Sequence, residues 1–413
     1  MIKLEELKAN IPYVNFLPSH WSIIPNRYLF KYDGIKVGQD FAKYQLLSLT
    51  KEGVKEKDLN SGGGKVPDNY INYQTVKKGQ IIFCLFDLDC SAVFSGLSYF
   101  DGMITSAYDV FTPTNLIDGK YADYWFKYVF TNRYYRLFSK NIRYTVTSDM
   151  FNSLKTPVPP KEEQQRIAEF LDKKCLEIDK LIELENQQIE KLKEYKQSVI
   201  SEVVKQGVNK YEHNDAYGFI SIKHICPVVT DYVASGSFAD LAKNVEYLDY
   251  PEYAMLVRTI DISNKGYKSE PVYINESAYK FLKNSNLFGG ELILPNIGAS
   301  VGDIYIVPKL YEKMSLAPNS IMIKTNQNDK YYYYYFLSEF GRYSLINLSQ
   351  SAAQPKFNKT DFKKLKVLYP PIEEQNNIVR FLDKKNKDID YLIELKNKKI
   401  EELQQYKQSP FYQ

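Results

Sequence analysis

The chain of 413 residues has only four cysteines, and none of them belongs to a CxxC pair. This pattern argues against a disulfide-stapled secreted scaffold and predicts a reduced cytoplasmic protein. His224 stands close to Cys226, but two potential ligands without further candidates are poor evidence for a metal centre. The sequence therefore predicts no metal site.

Long apolar runs and a strong net charge are also missing. The first ten residues, MIKLEELKAN, lack the apolar core of a signal peptide, and no run approaches the length of a membrane span. The net charge of +4 leaves no basic tail that would indicate nucleic-acid binding. Its small positive excess lies in residues 1–157 and 208–368, where two nucleic-acid-binding domains would be correctly placed.

One polar helical segment is present twice. Residues 159–198 align with residues 370–409 without a gap, at an offset of 211, and 25 of the 40 positions are identical. The same offset aligns the strand-like runs GQIIF and GELIL, and it aligns Met103 with Met314. The segments KYADYWFKYVF and KYYYYYFLSEF match at an offset of 210. The chain is therefore read as a tandem duplication of a globular domain followed by a helix.

Each helical copy begins after a proline pair and carries an apolar stripe at steps of three and four residues. Polar residues interrupt the stripe at Glu185 and Lys196 in the first copy and at Lys396 and Lys407 in the second. One such helix is marginal alone, so its expected partner is the other copy. The residues predicted to pack between the helices and to dock partners are Ile178, Ile182, Ile189, Leu192, Ile389, Ile393, Ile400 and Leu403.

The predicted fold class is α/β (α+β). Two mixed α/β domains with small twisted sheets are separated by two long antiparallel coiled-coil helices in a pseudo-twofold arrangement. The predicted divisions are a first domain (1–157), a first helical spacer (158–207), a second domain (208–368) and a second spacer (369–413). The second spacer ends in SPFYQ, and Pro410 would break a continuing helix, so it is expected to be about two turns shorter.

These features resemble the specificity subunit of type I restriction–modification enzymes. The likeness spans almost the whole chain and rests on LPSHW at 17–21, PVPPKEEQQRIAEFLD at 157–172 and LYPPIEEQNNIVRFLD at 368–383, with SAAQPKFNKTDFKKLKV at 351–367 leading into the second box. The proline–proline–x–Glu–Glu–Gln box before a helix is the specific feature, and it is present twice.

The resemblance implies two target-recognition domains that each read one half of a bipartite, asymmetric site in double-stranded DNA. It also implies that the helices dock two modification subunits, which methylate adenine, and that restriction subunits with an ATP-driven translocase complete the assembly. S-adenosylmethionine, ATP and Mg are then expected in the partner subunits and no cofactor in this chain. No Asn/Asp-Pro-Pro-Tyr/Phe methylation motif is present, so we expect no catalytic residues.

Two other functions stay open. A standalone DNA-binding regulator or an antirestriction decoy would also carry recognition domains, and co-purification of a methyltransferase separates both from a subunit. The second alternative is a fused methyltransferase–recognition enzyme, and the missing methylation motif disfavours it.

The candidate DNA-contacting residues lie in polar loops, where donors and acceptors can reach bases and phosphates. Arg143, Gln354 and Asn358 are the candidate base-edge readers, Lys140 and Lys356 are the candidate phosphate contacts, and Asn296 and Ser300 form a second loop candidate. Lys65 lies in SGGGKV, which lacks the features of a phosphate-binding loop of nucleotide-binding enzymes and is read as a surface turn or a DNA-phosphate contact. The tyrosine run 331–335 is read as helical core packing in preference to a base-stacking platform.

Overall fold

The structure is a computed structural model that describes residues 6–11, 14–57, 70–91, 93–139, 143–208, 217–263, 269–349 and 355–408. The chain divides into two compact units. Unit 1 consists of residues 1–184 with 399–413, and unit 2 consists of residues 185–398. The finer division into two domains and two spacers stays a prediction.

Unit 1 combines short strands with three helices of 4, 13 and 6 residues and the first part of a long one. The strands are β1 (Glu6–Ile11), β2 (Val14–Pro18), β3 (Ser22–Pro25), β4 (Phe30–Tyr32), β5 (Leu47–Thr50), β6 (Gly53–Glu56), β7 (Gln74–Val76), β8 (Ile81–Phe83), β9 (Ser95–Leu97), β10 (Gly102–Ile104), β11 (Asp109–Pro113) and β12 (Lys155–Val158). The helices are α1 (Asn26–Leu29), α2 (Gly119–Thr131), α3 (Ser148–Ser153) and α4 (Lys161–Gln206), of which residues 161–184 belong to this unit.

An antiparallel sheet in the order β4-β11-β8-β9 forms the centre of unit 1. Its apolar face packs against α2 and α3 through a cluster of aromatic rings that includes Phe30, Phe83, Phe111, Phe126 and Phe151. The run GQIIF supplies β8, whose three residues are fully buried, as expected for a short apolar run in the middle of a sheet.

Unit 2 repeats this plan with additional short elements. Its strands are β13 (Gly218–Ser221), β14 (Val228–Asp231), β15 (Ala254–Val257), β16 (Tyr273–Ile274), β17 (Asn286–Leu287), β18 (Leu292–Pro295), β19 (Tyr305–Ile306), β20 (Met314–Leu316), β21 (Ser320–Lys324) and β22 (Lys366–Tyr369). Its helices are α5 (Ile222–Ile225), α6 (Phe238–Asn244), α7 (Thr259–Ile262), α8 (Glu276–Phe281), α9 (Asp329–Leu337), α10 (Glu339–Leu348), α11 (Lys359–Lys364) and α12 (Ile372–Gln408), together with the end of α4.

The sheet β14-β21-β18-β19 of unit 2 has the same antiparallel order as the central sheet of unit 1. The tyrosine run lies in α9, and Tyr331, Tyr332, Tyr334 and Tyr335 are buried in the core beside this sheet. Core packing of the run is therefore confirmed. The units diverge in a second sheet, β16-β15-β20-β17, whose parallel β15–β20 pair is specific to unit 2 among the described strand pairs.

The glutamine of each proline box ties the start of a long helix to its own unit. In unit 1 the buried Gln164 donates to the Pro159 carbonyl at 2.8 Å and accepts from the Asp118 amide at 2.6 Å. In unit 2 Gln375 donates to the Pro370 carbonyl at 2.9 Å and accepts from the Asn328 amide at 3.2 Å. Since Asp118 and Asn328 cap α2 and α9, each glutamine links two helix starts.

An aspartate about two turns further along each long helix makes a second link. In unit 1 the Asp172 carboxylate accepts from the Lys120 ammonium group and from the Tyr124 hydroxyl, both at 2.7 Å. In unit 2 Asp383 accepts from Lys330 at 2.7 Å and from Tyr334 at 2.6 Å. The residues that orient the globular part on its helix are thus the same in both copies, although the globular sequences have diverged.

The helices α4 and α12 run antiparallel within unit 2. The Lys396 ammonium group lies 3.0 Å from the Glu185 carboxylate, and Lys196 lies 2.7 Å from Asp390, so the numbering falls along one helix as it rises along the other. Residues 185 and 396 are equivalent positions of the repeat, because they differ by 211. A contact between equivalent positions is what an approximate twofold axis between these helix segments requires.

Within unit 1, Lys407 of α12 lies 2.5 Å from Asp179 of α4, and this ion pair is the repeat equivalent of Lys196–Asp390. The predicted stripe is buried or half-buried in both helices: Ile178, Ile182, Ile189, Leu192, Ile389, Ile393, Ile400 and Leu403. The polar interruptions of the stripe are therefore paired with charges on the opposite helix. The predicted fold class is confirmed.

We expect the Glu185–Lys396 pair to be important for stability. Replacing Lys396 with Ala removes an ammonium group that lies 3.0 Å from the carboxylate of Glu185, a residue only 7% exposed. The free energy of unfolding should fall by about 2–3 kcal/mol, somewhat less than for a fully buried pair because part of the Lys396 side chain reaches water. Urea denaturation followed by circular dichroism measures this change.

The matched control is the charge reversal E185K/K396E, which restores opposite charges and should recover most of the loss. A K396A variant as stable as the wild type, or a reversal that is no more stable than K396A, would contradict the importance of the pair.

Candidate nucleic-acid interface

Two loops meet at the end of β8 in unit 1, and we call them clasp 1: residues 85–89 and residues 143–147. The Val146 amide donates to the Leu85 carbonyl at 2.8 Å, and the Leu88 amide donates to the Arg143 carbonyl at 3.2 Å. These backbone bonds fix both loops to the end of a buried strand, so their exposed side chains are presented from a rigid base.

Unit 2 builds the same feature at the end of β18, from residues 296–300 and 355–358, which we call clasp 2. The Phe357 amide donates to the Asn296 carbonyl at 3.0 Å, and the Gly298 amide donates to the Pro355 carbonyl at 2.9 Å. Residues 85 and 146 of clasp 1 correspond to residues 296 and 357 at the repeat offset of 211. The clasp is therefore part of the duplicated scaffold.

Clasp 2 brings together four of the sequence-predicted residues: Asn296, Ser300, Lys356 and Asn358. Lys356 is exposed and Ser300 is half-buried. The Asn296 amide group donates to the Phe357 carbonyl at 3.0 Å, which closes the clasp. Asn358 is the N-cap of α11, where it accepts from the Asp361 amide at 2.9 Å. The side chains of Asn296 and Asn358 thus have a structural task as well as the DNA-reading role that stays a prediction for them.

Clasp 1 contains Arg143, whose side chain is 80% exposed and lies 3.8 Å from the Asp87 carboxylate. Next to it, Arg136 binds Asp89 through Nε and Nη2 at 3.1 and 2.8 Å, and the Tyr135 hydroxyl donates to the same carboxylate at 2.9 Å. Hydrogen bonds from Arg136 lower the pKa of Asp89, so this carboxylate stays ionised.

The backbone of clasp 1 is strained. Asp87 and Tyr144 have φ values of 50° and 46°, and Arg133 just before the Arg136 turn has a φ of 55°. Left-handed conformations of residues other than glycine cost free energy and are frequent at functional sites. Arg136 stacks over the Tyr144 ring at 5.2 Å, which helps to hold this conformation.

Sequence reasoning missed Asp87, Asp89 and Arg136. A usable signal existed, because the repeat offset of 211 carries the candidate loop PNIGAS (295–300) onto residues 84–89, whose last four residues read FDLD. The predicted residues Lys65, Lys140 and Gln354 lie outside the described residues, and their DNA-contacting roles stay predictions.

Some apolar side chains of the long helices face away from the stripe and are about half exposed. They form equivalent pairs at the repeat offset of 211: Leu181 and Leu392, Leu184 and Leu395, and Tyr195 and Tyr406, with exposed fractions between 45% and 51%. We call Leu181, Leu184 and Tyr406 the unit 1 flank, and Leu392, Leu395 and Tyr195 the unit 2 flank. Since the stripe residues are buried or half-buried, the flanks are among the apolar helix surfaces that a partner could reach.

The family described as the type I restriction modification DNA specificity domain matches residues 54–194 and 217–405. This is most of the chain, and it includes both clasps and the four leucines of the flanks. The chain belongs to this family.

Two relatives come from Methanocaldococcus jannaschii. The type I restriction enzyme MjaVIII specificity subunit is 28% identical over 282 residues, which cover 63% of this chain and 61% of the relative. A protein named for the MjaX specificity subunit is 26% identical over 279 residues, which cover 64% and 59%. The chain thus spans about three fifths of the length of the curated relatives it matches.

Two solved structures share the fold. One comes from work on complex assembly and conformational transition of the type I R-M system, with a TM-score of 0.64 and 14% identity over 96% of this chain and 97% of that chain. The other is the HsdS subunit from Thermoanaerobacter tengcongensis, with a TM-score of 0.51 and 12% identity over 97% of each chain. At these identities the likeness concerns the fold alone.

A metal site near Cys226 finds no support in the described part of the chain, where no group of three His, Cys, Asp or Glu side chains could hold an ion. Burial also raises the pKa of the Cys226 thiol to about 12, which disfavours the thiolate that a metal needs. Over the same described ranges, no helix is both long and apolar enough to span a membrane.

The cap in clasp 2 leads to a testable prediction. The N358A variant removes the side chain that accepts from the Asp361 amide, and loss of an N-cap costs about 1 kcal/mol of stability. Urea denaturation should therefore show a decrease of this size for N358A and little change for N358D, which can still cap the helix. The neighbouring K356A variant is the control, because Lys356 is exposed and should leave stability unchanged. Equal stability of N358A and wild type would contradict the capping role.

Proposed function

We propose that this chain is the DNA-recognition subunit of a type I restriction–modification enzyme and binds a bipartite, asymmetric site in double-stranded DNA. The observation that carries the proposal is one scaffold built twice, with different side chains at equivalent loops. Clasp 1 presents Arg143 and Asp87, whereas clasp 2 presents Lys356 and Ser300. Base edges are read by the pattern of donors and acceptors they meet, so different clasps favour different half-sites.

Lysines support the part of this proposal that concerns phosphate contacts, which position the chain on DNA. Lys356 is exposed at the edge of clasp 2, where its ammonium group is available to a phosphate. Lys65 and Lys140 are proposed for the same task from sequence alone, and Gln354 for base contact. Asn296, Ser300 and Asn358 complete the proposed set in unit 2.

The flanks support docking of two identical partners. Each flank offers two leucines and a tyrosine about half exposed, at equivalent positions of the repeat. Exposed apolar groups on a helix that already has a buried partner favour a further protein contact. We assign these flanks to two adenine-methyltransferase (modification) subunits, with restriction–translocase subunits joining the complete enzyme.

The chemistry then belongs to the partners, and this chain has no catalytic role of its own. S-adenosylmethionine is assigned to the modification subunits, and ATP with Mg to the translocase. The assembly would act on DNA in the cytoplasm. A standalone regulator or an antirestriction decoy would use the same recognition units but would have no need of two equivalent flanks.

The proposal is tested by activity and stoichiometry. The purified chain alone should neither methylate nor cleave DNA, and addition of the cognate modification subunit should give adenine methylation at one asymmetric sequence. Native mass spectrometry of that mixture should show two modification subunits for each copy of this chain. Methyl transfer by the isolated chain would contradict the proposal.

The flanks provide the matched control. The variant L181E/L184E should reduce the stoichiometry to one modification subunit, and L392E/L395E should do the same through the other flank, because each places charges in one proposed apolar contact. Full occupancy in both variants would contradict docking at the flanks.

The helix pair should also set the spacing between half-sites. A heptad inserted after Glu190 of α4, with a facing heptad after Leu392 of α12, keeps the apolar stripe in phase and adds about 10 Å, since each residue adds about 1.5 Å. The variant should methylate the same half-sites with a spacer about three base pairs longer, because one base pair spans about 3.4 Å. Sequencing of methylated adenines measures the spacer.

The facing positions follow from the ion pairs, because Glu185 faces Lys396 and Lys196 faces Asp390. A two-residue insertion at the same places is the control, and it should disrupt folding because it rotates the stripe away from the partner helix. Methylation of the heptad variant at the original spacing would contradict the ruler function.

A further inference from the structure

Clasp 1 contains two arginine–aspartate pairs of the same chemistry but in different states. The Arg136–Asp89 pair is closed, because Nη2 of Arg136 contacts both carboxylate oxygens at 2.8 and 2.9 Å and Nε adds a bond at 3.1 Å. The Arg143–Asp87 pair is open, because its nearest charged atoms are 3.8 Å apart, beyond hydrogen-bond distance. Two pairs in one loop cluster thus allow a direct comparison.

The open pair contributes little to stability. Its side chains are 80% and 41% exposed, and ion pairs with this exposure gain little in water. The surrounding backbone nevertheless holds both residues firmly. The Leu88 amide donates to the Arg143 carbonyl at 3.2 Å, and the amides of Cys90 and Ser91 donate to the Asp87 carbonyl at 2.9 and 2.7 Å.

This backbone is also strained, since Asp87 and the neighbour of Arg143, Tyr144, are in the left-handed region. The closed pair supports the strained turn, because Arg136 stacks on the Tyr144 ring while it binds Asp89. A stable scaffold therefore holds two exposed and opposite charges side by side without a hydrogen bond between them. An arrangement that costs free energy and gives little in return is typical of a binding site.

The sign of the charges selects the ligand. A backbone phosphate would be attracted by Arg143 and repelled by Asp87, so the pair as a whole is a poor phosphate site. The ligand must offer acceptors to the guanidinium group and a donor to the carboxylate, close together. In the major groove a G·C pair does this, with O6 and N7 of guanine as adjacent acceptors for the guanidinium fork and the N4 amino group of cytosine as donor, whereas in an A·T pair the N6 donor separates the N7 and O4 acceptors.

We propose that Arg143 and Asp87 read a single G·C base pair in the half-site bound by unit 1. Guanine O6 and cytosine N4 are hydrogen-bonded to each other about 2.9 Å apart, so one base pair presents an acceptor and a donor side by side, as the protein presents its donor and acceptor 3.8 Å apart. Arg143 donates its two parallel N–H groups to guanine, and Asp87 accepts from cytosine. This inference rests on the proposed DNA recognition and adds the identity of one base pair.

The test is selection of DNA from a randomised duplex pool by the tagged full chain, isolated with its native assembly. The wild type should select a bipartite motif with a G·C pair in one half. In R143A and in D87A the preference should fall at that same base pair, by about tenfold to a hundredfold, and the other half-site should stay unchanged. Relaxation at one shared position is the decisive result, because the two residues would contact opposite strands.

A second variant separates base contact from charge. R143K keeps the positive charge but loses the fork that matches guanine, so it should lose the guanine preference while total DNA binding stays within about threefold. If Arg143 contacts only phosphate, R143K would instead keep the motif, and the inference would be wrong.

The closed pair supplies the matched control. R136A removes support from the turn that carries Arg143, so it should lower thermal stability and weaken total DNA binding, but the preferred pair at that position should stay G·C, because the Arg136 guanidinium group is already bound within the protein. A motif that is unchanged in R143A and D87A would overturn the inference but leave the proposed function intact. A wild-type assembly that selects no sequence would instead contradict the proposed function itself.

Discussion

The structure depends on the pairing of two long polar helices that could not be stable separately. Their stripe is narrow, so each helix needs the other to cover it. The two charged interruptions Glu185 and Lys396, at equivalent positions of the repeat, lie opposite each other and compensate the cost of burial. Where two equivalent positions of the repeat face each other, an ion pair can form only if the two copies carry opposite charges. This is why a glutamate in one copy corresponds to a lysine in the other.

Both globular units are fixed to this helix pair by identical chemistry. In each unit a buried glutamine donates a hydrogen bond to a carbonyl of the proline box. An aspartate of the same long helix accepts hydrogen bonds from a lysine and a tyrosine of α2 or α9. These contacts explain why the proline box and the segments KYADYWFKYVF and KYYYYYFLSEF stayed similar while the surrounding sequence diverged. A change in any of these contacts would alter the orientation of a globular part on its own helix. The residues that make them are therefore constrained, whereas the exposed charges on the globular parts are not.

Much of the fold could be predicted from the sequence, because its main signal is periodic. The offset of 211 located the long helices and the strands β8 and β18, and the offset of 210 located the aromatic helices α2 and α9. The stripe residues are buried or half-buried as expected. The candidate site was less accessible. Asparagine is a residue type that reads base edges, but the Asn358 side chain caps α11. The sequence alone cannot distinguish helix capping from base contact. Asp87 and Asp89 were missed because carboxylates are unusual in an interface with DNA, and only the folded loops place Asp87 beside Arg143 and Asp89 beside Arg136.

The clasps show how one backbone geometry can carry two different surfaces. Clasp 2 is closed by the side chain of Asn296, which donates to the Phe357 carbonyl. The equivalent residue in clasp 1 is Leu85, which is buried in the core of unit 1 and cannot make this bond, and there the loops are held with the help of the Arg136–Asp89 pair and the Tyr144 ring. The Val146–Leu85 backbone bond is retained as Phe357–Asn296, and the second bond between the loops is shifted by one residue, whereas the side chains that support the loops have been exchanged. Because the support differs, the exposed residues of each clasp can change without loss of the scaffold, and this independence is what two separately evolving half-sites require.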